Sequence, residues 1–300
     1  MTPIRASATT CRRPRVSTRA GVRVTPPTVL NAAYYTHLFW DGRRPSLEGQ
    51  AGDPFTNSIE HGLKDHGQLA DIVRKDSGYA LRFKAIFGVE PAKISVVHIT
   101  KAIASYERTI ISGDSPFDRY QYGADKSALS AEAIRGLELF RGKAKCSLCH
   151  IIGPTSAIFT DNKFHNLGVG FSKIEPNLYS IVNAFRSAVA SGQSVDEAVL
   201  KGSDISQLGR VVVTIKPTGL DDTSDVGRFK TSTLRNIALT GPYMHDGSLP
   251  TLEAVMDLYN KGNEKNPMLD KLFRPLGLTD QEKADLVTFM KALTSPILPQ

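Results

Sequence analysis

The sequence predicts an all-α fold with long ordered loops, and three observations support this prediction. Apolar residues recur at helical spacing in residues 66–87 and 95–111. Ser130 and Thr279 are residue types that commonly cap a helix, and each precedes a segment with one apolar face. No alternating strand pattern is sustained along the chain, and there is no internal repeat. Helices joined by ordered loops therefore explain the chain best.

In the first half, a loop-rich segment precedes two helical segments. Prolines and glycines make residues 25–65 loop-rich. Residues 66–87 and 95–111 follow with helical spacing, and residues 112–128 are predicted to be a linker.

In the second half, the predicted helices surround a short cysteine motif. A helix from Ser130 carries Ile134, Leu137 and Phe140 on one side and leads directly to that motif. A short helix is predicted over residues 251–260, ending at Gly262. The last helix begins at Thr279, where TDQE has the spacing of a capping box.

Composition and charge exclude several classes of protein. The 300 residues are 41% hydrophobic and 22% charged, which is typical of a globular protein. Residues 1–24 hold six arginines and no acid, so they carry +6 of the +7 net charge. The rest of the chain has no basic stripe, and nucleic-acid binding is not expected. No run approaches the roughly 18 apolar residues of a membrane span.

The motif CSLCH, residues 146–150, is the most specific feature of the sequence. In C-x-x-C-H each thiol, here Cys146 and Cys149, bonds one vinyl group of a c-type haem, and the adjacent His150 becomes the proximal iron ligand. A zinc site would need a second ligand pair, and the remaining cysteine, Cys11, has no partner. A thioredoxin-like motif would need a βαβ context, whereas a helix precedes this one.

The sixth ligand of that iron is not decided by spacing alone. The sulfur and oxygen candidates are Met244, Met256, Tyr259, Met268 and Met290. Met256 and Tyr259 share one face of the helix predicted over residues 251–260. A thioether would stabilise ferrous iron and raise the reduction potential, whereas a phenolate would favour ferric iron and lower it.

Several segments together resemble one family. A helix that leads into C-x-x-C-H, with a closing helix at the C-terminus, is the plan of a cytochrome c domain. The segments that carry the resemblance are FKTSTLRN (229–236), LTGPYMHDGS (239–248), PTVLNAA (27–33), FWDGR (39–43), ASYERT (104–109), SPFDR (115–119) and FTDNKFHN (159–166). From about Val16 to its end, the chain resembles bacterial di-haem cytochrome c peroxidases and their MauG-type relatives.

The resemblance implies two cytochrome c-like domains, of which the N-terminal one is incomplete here. Residues 1–24 are an unmatched Arg-rich N-terminus, and 25–125 are the remnant of the N-terminal, peroxidatic domain. Residues 126–300 form the C-terminal haem domain. In such proteins one haem receives electrons and the other reacts with peroxide.

The resemblance also assigns the ligands of the C-terminal haem. His150 matches the proximal ligand. The sixth ligand lies fourteen residues after the His of the HDG motif, which places it at Tyr259. Cytochrome c peroxidases carry Met at that place and MauG-type proteins carry Tyr, so the chain resembles the MauG type. Met256, Met244 and an open or water-bound site remain alternatives.

Three residues match positions around the other haem. Trp40 matches the residue between the two haems that can relay electrons, with a core aromatic as the alternative. Glu60 matches the distal glutamate, whose carboxylate can take a proton from peroxide and return it to the leaving oxygen. Pro54 matches a proline that lines the same pocket.

The family also holds calcium between its haems. Thr240 and Pro242 match positions whose backbone carbonyls bind it, and Thr25 stands where the family has asparagine. His165 and His245 are expected to be hydrogen-bonding residues near the haem rather than ligands. The remaining histidines are expected to be structural: His37, His61, His66 and His98.

One required motif is missing from this sequence. The family carries a first C-x-x-C-H upstream of Trp40, whereas Cys11 is followed by RRPR. A shifted or late start codon would explain the missing motif, the missing secretory signal and the Arg-rich segment together; a mitochondrial transit peptide is the alternative for that segment.

The expected function is reduction of hydrogen peroxide with electrons passed through the C-terminal haem. The donor would be a small cytochrome or cupredoxin, or the oxidised target would be a protein substrate, and the family implies the periplasm. The alternatives are a mono-haem electron-transfer protein and an inactive truncated remnant.

Overall fold

The structure is a computed structural model that describes residues 24–58, 60–201, 204–215, 223–262, 266–295 and 297–298. Cys11 and nearly all of the Arg-rich segment 1–24 lie outside these residues, so the expectations for them stay sequence-based.

The described chain is mainly helical. In the first half the helices are α1 (Leu47–Thr56), α2 (His66–Lys75), α3 (Ser77–Phe87), α4 (Val96–Glu107) and α5 (Pro116–Gln121). In the second half they are α6 (Ala131–Arg141), α7 (Phe171–Ile174), α8 (Leu178–Ala190), α9 (Val195–Lys201), α10 (Val211–Thr214), α11 (Leu252–Lys261) and α12 (Asp280–Lys291).

The strands are only two residues long and form two antiparallel pairs. β1 (Ile111–Ser112) pairs with β4 (Ile297–Leu298), and β2 (Phe164–His165) pairs with β3 (Phe229–Lys230). Sheet structure this limited confirms the predicted all-α class. None of the helices in the described segments is long and apolar enough to cross a membrane.

Local sequence patterns predicted the ends of several helices correctly. The Ser130 side chain accepts a hydrogen bond from the backbone of Ala133, which caps α6. The capping box of Thr279 and Glu282 is present at the start of α12. Helix α11 ends at Lys261, and Gly262 follows with φ of 74°. Because a side chain is strained at this φ, the glycine suits the helix end.

Two predictions about the first half need correction. The helical spacing over residues 66–87 is divided into α2 and α3, because Asp76 has an extended backbone and its side chain caps α3 by accepting from Tyr79. The predicted linker 112–128 contains α5, which begins with a capping box at Ser115. Phe117 in α5 is fully buried, and burial of this large apolar ring holds the segment against the protein core.

The main core lies between α6 and α12 and positions the C-x-x-C-H motif. Four phenylalanines pack edge to face there: Phe117, Phe140, Phe159 and Phe289. The two helices cross closely at Gly136, where an added Cβ would lie 2.1 Å from the carbonyl oxygen of Asp285. Only glycine permits this approach, and α6 then leads the chain into the motif.

Two of the other apolar clusters among the described residues are large. One is formed by α2–α4 and centres on Leu69, Phe83 and Ile94. The other is formed by α7–α10 and includes Phe171 and Phe185. Asp196 of α9 pairs with both Arg43 and Arg44, so ion pairs join α9 to the loop before α1.

Candidate haem site

The C-x-x-C-H motif forms a single 3₁₀ turn immediately after α6. Residues Cys146–Leu148 make this turn, and the backbone N–H of His150 donates to the carbonyl of Cys146 at 2.9 Å. Cys146 and Cys149 are both free thiols and half-buried. Burial raises the pKa of the Cys146 thiol to about 12, so this sulfur is protonated at neutral pH. Neither cysteine is in a disulfide, so both sulfurs are available to form thioether bonds.

His150 is held in the tautomer that an iron ligand requires. Its Nδ1 lies 2.9 Å from the carbonyl oxygen of Phe159. Since a carbonyl only accepts, Nδ1 carries the proton. Burial lowers the pKa of His150, so the ring is neutral and its lone pair is on Nε2. A backbone partner on one ring nitrogen commonly orients a metal-binding histidine in this way.

Tyr259 lies on the inward face of α11, close to the two motif cysteines. Its ring packs against the main core and meets Phe273 edge to face, with centroids 5.2 Å apart. Burial, followed by the electrostatic influence of Cys146 and Cys149, raises the pKa of Tyr259 above its ordinary value. The phenol is therefore neutral at neutral pH.

The methionines considered as sixth ligands have different surroundings. Met256 and Met290 are buried in the main core, and Met268 packs against the cluster of α7–α10. Met244 is half-buried and has a φ of 68°.

His165 is clamped between two carboxylates and reaches Cys149. Its Nε2 lies 2.9 Å from Asp161 and its Nδ1 lies 2.6 Å from Asp270. The hydrogen bond to Cys149, with help from both carboxylates, raises the pKa of His165 to about 10 although burial opposes this shift. His165 is thus an imidazolium beside the second cysteine of the motif.

Trp40, Thr25 and His245 are joined by hydrogen bonds. The indole N–H of Trp40 donates to the carbonyl of Thr25 at 2.7 Å, and the backbone N–H of Thr25 donates to the carbonyl of His245 at 2.7 Å. His245 is buried, stacks on Phe229 with centroids 3.6 Å apart, and bonds Gln207 through Nε2 at 2.8 Å. Burial lowers the pKa of His245 to about 4, so the ring is neutral.

The residues expected to bind calcium are near neighbours. A Cβ added to Gly247 would lie 2.6 Å from Thr25 Oγ1 and 3.3 Å from Pro242 Cγ, so Thr25 and Pro242 flank the same point. Thr240 ends a short turn just before Pro242, and its hydroxyl donates to the carbonyl of Ile237 at 3.3 Å. Hydroxyl and carbonyl oxygens are donors that calcium accepts.

Pro54 lies in α1 and Glu60 lies in the turn that follows it, far from the motif in sequence. Pro54 is half-buried in α1, and its carbonyl accepts from the backbone N–H of His61 at 3.2 Å. Glu60 is exposed in the turn after α1, where its carboxylate accepts from the side chain of Asn57.

Sequence reasoning missed three polar groups that organise the site. Asp270 is 105 residues from His165, and no local pattern connects them. Arg235, in FKTSTLRN, is buried and bonds both Asp118 and the carbonyl of Ala157. Burial alone would raise the pKa of Asp118, but Arg235 holds it below the usual range.

Lys230 is the third of these groups. It is 4% exposed, and its Nζ donates to the carbonyl of His37 at 3.0 Å and lies 3.4 Å from the centroid of the Tyr35 ring. Desolvation lowers the pKa of Lys230 to about 7. Both Arg235 and Lys230 belong to FKTSTLRN (229–236), a segment that carries the family resemblance. That resemblance was the one feature of the sequence that could have pointed to them.

The donor set fits a c-type haem. Two free thiols precede a neutral imidazole whose Nε2 carries the lone pair, and a phenol stands nearby on α11. When bound, the haem supplies one-electron redox chemistry at an iron whose potential depends on these ligands.

Comparisons with known proteins show the family of the chain. Residues 6–126 match the family described as di-haem cytochrome c peroxidase, CCP_MauG, so the match begins upstream of Val16. The chain is 37% identical to the methylamine utilization protein MauG of Methylorubrum extorquens, over 92% of this chain and 68% of that protein. It is also 37% identical to the cytochrome-c peroxidase IdrP1 of Denitromonas iodatirespirans, over 90% of this chain and 69% of that protein.

A solved structure gives the same result. The crystal structure of a MauG-like protein associated with microbial copper homeostasis superposes with a TM-score of 0.70 at 29% identity, over 93% of this chain and 77% of that one. The chain therefore belongs to the di-haem cytochrome c peroxidase and MauG family, as a peroxidase-like haem oxidoreductase.

Proposed function

We propose that the protein reduces hydrogen peroxide, using electrons that pass through a haem held by Cys146, Cys149 and His150, with Tyr259 as the second axial ligand. The observation that carries this proposal is the position of Tyr259 beside the motif cysteines, at the residue where the family carries its sixth ligand. Similarity to both peroxidases and MauG supports the reaction class.

In this proposal each residue of the chain has a defined task. The thiols of Cys146 and Cys149 would hold the haem, and the carbonyl of Phe159 fixes the proton on His150 Nδ1, which would leave Nε2 free to bind the iron. Tyr259 would bind as a phenolate after its proton leaves. As a hard anionic ligand it would favour ferric iron and lower the potential, which suits the MauG type rather than an easily reduced carrier.

We further propose that Trp40 relays electrons and that Glu60, beside Pro54, performs the proton transfers of peroxide cleavage. The hydrogen bond from Trp40 to Thr25 fixes the orientation of the indole, which supports a relay. Glu60 would accept a proton from peroxide and return it to the leaving oxygen. Because Glu60 is exposed, its carboxylate can exchange protons readily with solvent.

Tyr259→Met tests the axial ligand. If Tyr259 binds iron, the substitution should raise the reduction potential and change the ferric absorption spectrum, because a thioether replaces a phenolate. Met256→Leu, on the same helix, is the control and should change neither. An unchanged potential and spectrum in Tyr259→Met would contradict the assignment.

Glu60→Gln tests the peroxidase reaction, in a protein that carries both haems. Loss of a positioned acid–base group should slow the reaction with peroxide by roughly 10²–10⁴-fold. Glu48→Gln, a glutamate of α1 that pairs with Arg108 on the surface, is the matched control. Peroxide kinetics that are the same in Glu60→Gln as in the parent would refute this role.

A mono-haem electron-transfer function is the second candidate, and an inactive truncated remnant is the third. The observation that favours them is that the 300 residues contain a single C-x-x-C-H, whereas the proposed peroxidase needs a second one ahead of Trp40. DNA sequencing upstream of Met1, in all frames, discriminates between them. A secretory signal and a first C-x-x-C-H there would support a periplasmic di-haem enzyme. If neither is found, the peroxidase proposal should be withdrawn.

We also propose calcium at Thr240, Pro242 and Thr25, and a small cytochrome or cupredoxin as electron donor, or else a protein substrate. The closeness of Thr25 to Pro242 supports the calcium site. Loss of calcium on treatment with a chelator, seen as a change in the haem spectrum, is the result expected.

A further inference from the structure

The segment that follows β3 holds a loop, residues 157–160, that contacts the haem motif. Thr231, Thr233 and Arg235 are the residues of this segment that bond the loop, and they are 8%, 2% and 4% exposed. Every second residue therefore faces the loop, which is the alternation of an extended chain. These three residues form what we call the clamp. The proposed peroxidase reaction gives none of them a task.

The clamp occupies the two carbonyls that precede Phe159. The guanidinium of Arg235 donates through Nε to the carbonyl of Ala157 at 2.8 Å. The hydroxyl of Thr233 donates to the carbonyl of Ile158 at 2.6 Å. The backbone N–H of Arg235 also donates to the Thr233 hydroxyl at 3.1 Å, so these two members support each other. Because a buried carbonyl needs a donor, each of these bonds fixes one peptide unit of the loop.

Phe159 itself has a backbone conformation that its surroundings must hold. Its φ is 55°, in the left-handed region, which is strained for a residue with a side chain. The hydroxyl of Thr160 donates to the carbonyl of Thr231 at 2.6 Å. The loop is thus held on both sides of Phe159, whose carbonyl accepts from Nδ1 of His150 at 2.9 Å. The backbone of Ser232, from the same segment as the clamp, also acts on the His150 ring.

We propose that the clamp positions the proximal histidine: it keeps the carbonyl of Phe159 on Nδ1 of His150, and through this hydrogen bond it lowers the reduction potential of the bound haem. The inference rests on the proposed function in one respect, since it takes His150 as an iron ligand. A hydrogen bond from Nδ1 makes Nε2 more basic, and a more basic ligand favours ferric iron. Weakening this bond should therefore raise the potential.

Helix α5 anchors the clamp from the first half of the chain. Asp118 of α5 accepts from the Arg235 guanidinium at 2.8 Å, and the neighbouring Phe117 is fully buried in the main core. The same ion pair neutralises the buried charge of Arg235. Replacing Arg235 would thus change the charges near the motif as well as the hydrogen bonds of the loop. The threonines of the clamp carry no charge, so they separate positioning from electrostatics.

Thr233→Val, in the full chain with its haem attached, tests the inference. The substitution keeps the shape of the side chain and removes the hydroxyl that holds the carbonyl of Ile158. The ferric-to-ferrous equilibrium should shift by roughly tenfold toward ferrous iron, which for one electron raises the potential by about 59 mV. Exchange of the His150 Nδ1 proton with deuterium, followed by NMR of the ferric protein, should become faster. Thr233→Ser keeps the hydroxyl and should behave as the parent does.

Thr100→Val is the matched control. Thr100 is also a buried threonine, and its hydroxyl donates to the carbonyl of Val97 at 3.3 Å within α4. Its replacement should change neither the potential nor the proton exchange. Thr160→Val is the second test variant, because it releases the other side of the loop and should act in the same direction as Thr233→Val.

The potential and the proton exchange together decide the inference. If both are unchanged in Thr233→Val and in Thr160→Val, the clamp does not position the histidine and the inference is wrong. A potential raised equally in Thr233→Ser would also overturn it, because packing and not the hydroxyl would then be responsible. His150→Gly separates this result from a failure of the proposed function. A parent-like haem spectrum in His150→Gly would show that His150 is not a ligand, whereas an altered one beside inert threonine variants would refute the clamp alone.

Discussion

The region around the haem motif and the region of α1–α4 differ in how they are held together. Around the motif, fully buried phenylalanines pack between α6 and α12. In the N-terminal region, α3 and α4 leave large apolar side chains exposed, with Leu81 at 71% and Ile86 at 75%. Buried apolar area provides most of the folding free energy, so the haem region has the larger reserve of stability.

The proposed functional residues of the two regions also differ in how firmly they are held. The motif residues and Tyr259 are rigidly supported by a core and by backbone hydrogen bonds, whereas Glu60 sits on an exposed turn. A metal-centred site needs fixed ligands, and a group that exchanges protons with solvent does not need burial. The comparison teaches that the part of the chain around the motif is held in a fixed geometry, which is what the proposed haem site requires.

The largest effect is expected from replacing both motif cysteines. Cys146→Ser with Cys149→Ser should abolish covalent haem entirely, because the motif then has no sulfur to bond the vinyl groups. Haem retained by the denatured protein, measured by its pyridine haemochrome spectrum, is the readout. Cys11→Ser is the matched control and should load as the parent does; loss of haem there would show that the motif is not the attachment site.

Replacing one buried phenylalanine in each of the two cores should lower the free energy of unfolding more in the haem region than in the α2–α4 region. Phe289→Ala should lower the free energy of unfolding by about 3–5 kcal/mol, since the ring is fully buried among Phe117 and Phe140. Phe83→Ala, in the cluster of α2–α4, should cost toward the low end of that range because Phe83 is 7% exposed. Urea denaturation of the holoprotein measures both. A larger loss in Phe83→Ala would reverse the comparison.

Removing the charge on His165 should make the stability of the haem region less dependent on pH. The pKa of His165 in the folded chain is about 10, above the ordinary 6.5, so its contribution is full below pH 6.5 and disappears as pH rises through 10. His165→Asn should cost about 1–3 kcal/mol at pH 6 and nearly nothing above pH 10. Since part of the shift comes from Cys149, the haem-loaded and haem-free chains should both be measured. An equal cost at both pH values would contradict this account.

Lys230 should give a pH dependence of the opposite sign. The folded pKa of Lys230 is about 7 against an ordinary 10.5, so this residue makes stability rise as pH increases from 7 to 10.5. Lys230→Met should flatten that rise, as measured by urea denaturation at a series of pH values. Lys163→Met, on the neighbouring loop, is the control. A pH dependence that persists in Lys230→Met would show that another group causes it.

Local patterns predicted much of this structure. Ser130, Thr279 and Gly262 marked helix ends correctly, because capping depends on residues within one turn of each other. The same local reasoning missed the break at Asp76, where a capping side chain competes with a continuous apolar pattern. It also predicted a linker over residues 112–128, because polar turn residues surround Phe117. The burial of this single phenylalanine, which fixes α5 against the core, has no local pattern that would predict it.

Adjacent residues were sufficient to identify the family, and they also predict the haem-attachment motif, because a family signature and a thioether site both consist of consecutive positions. Only the tertiary structure shows that Asp270 contacts His165 and that Asp118 contacts Arg235. It also places the Tyr35 ring and the carbonyl of His37 against Lys230. These contacts join residues that are far apart along the chain. The shifted pKa values of His165, Asp118 and Lys230 follow from burial and from neighbouring groups, and both depend on how the helices pack.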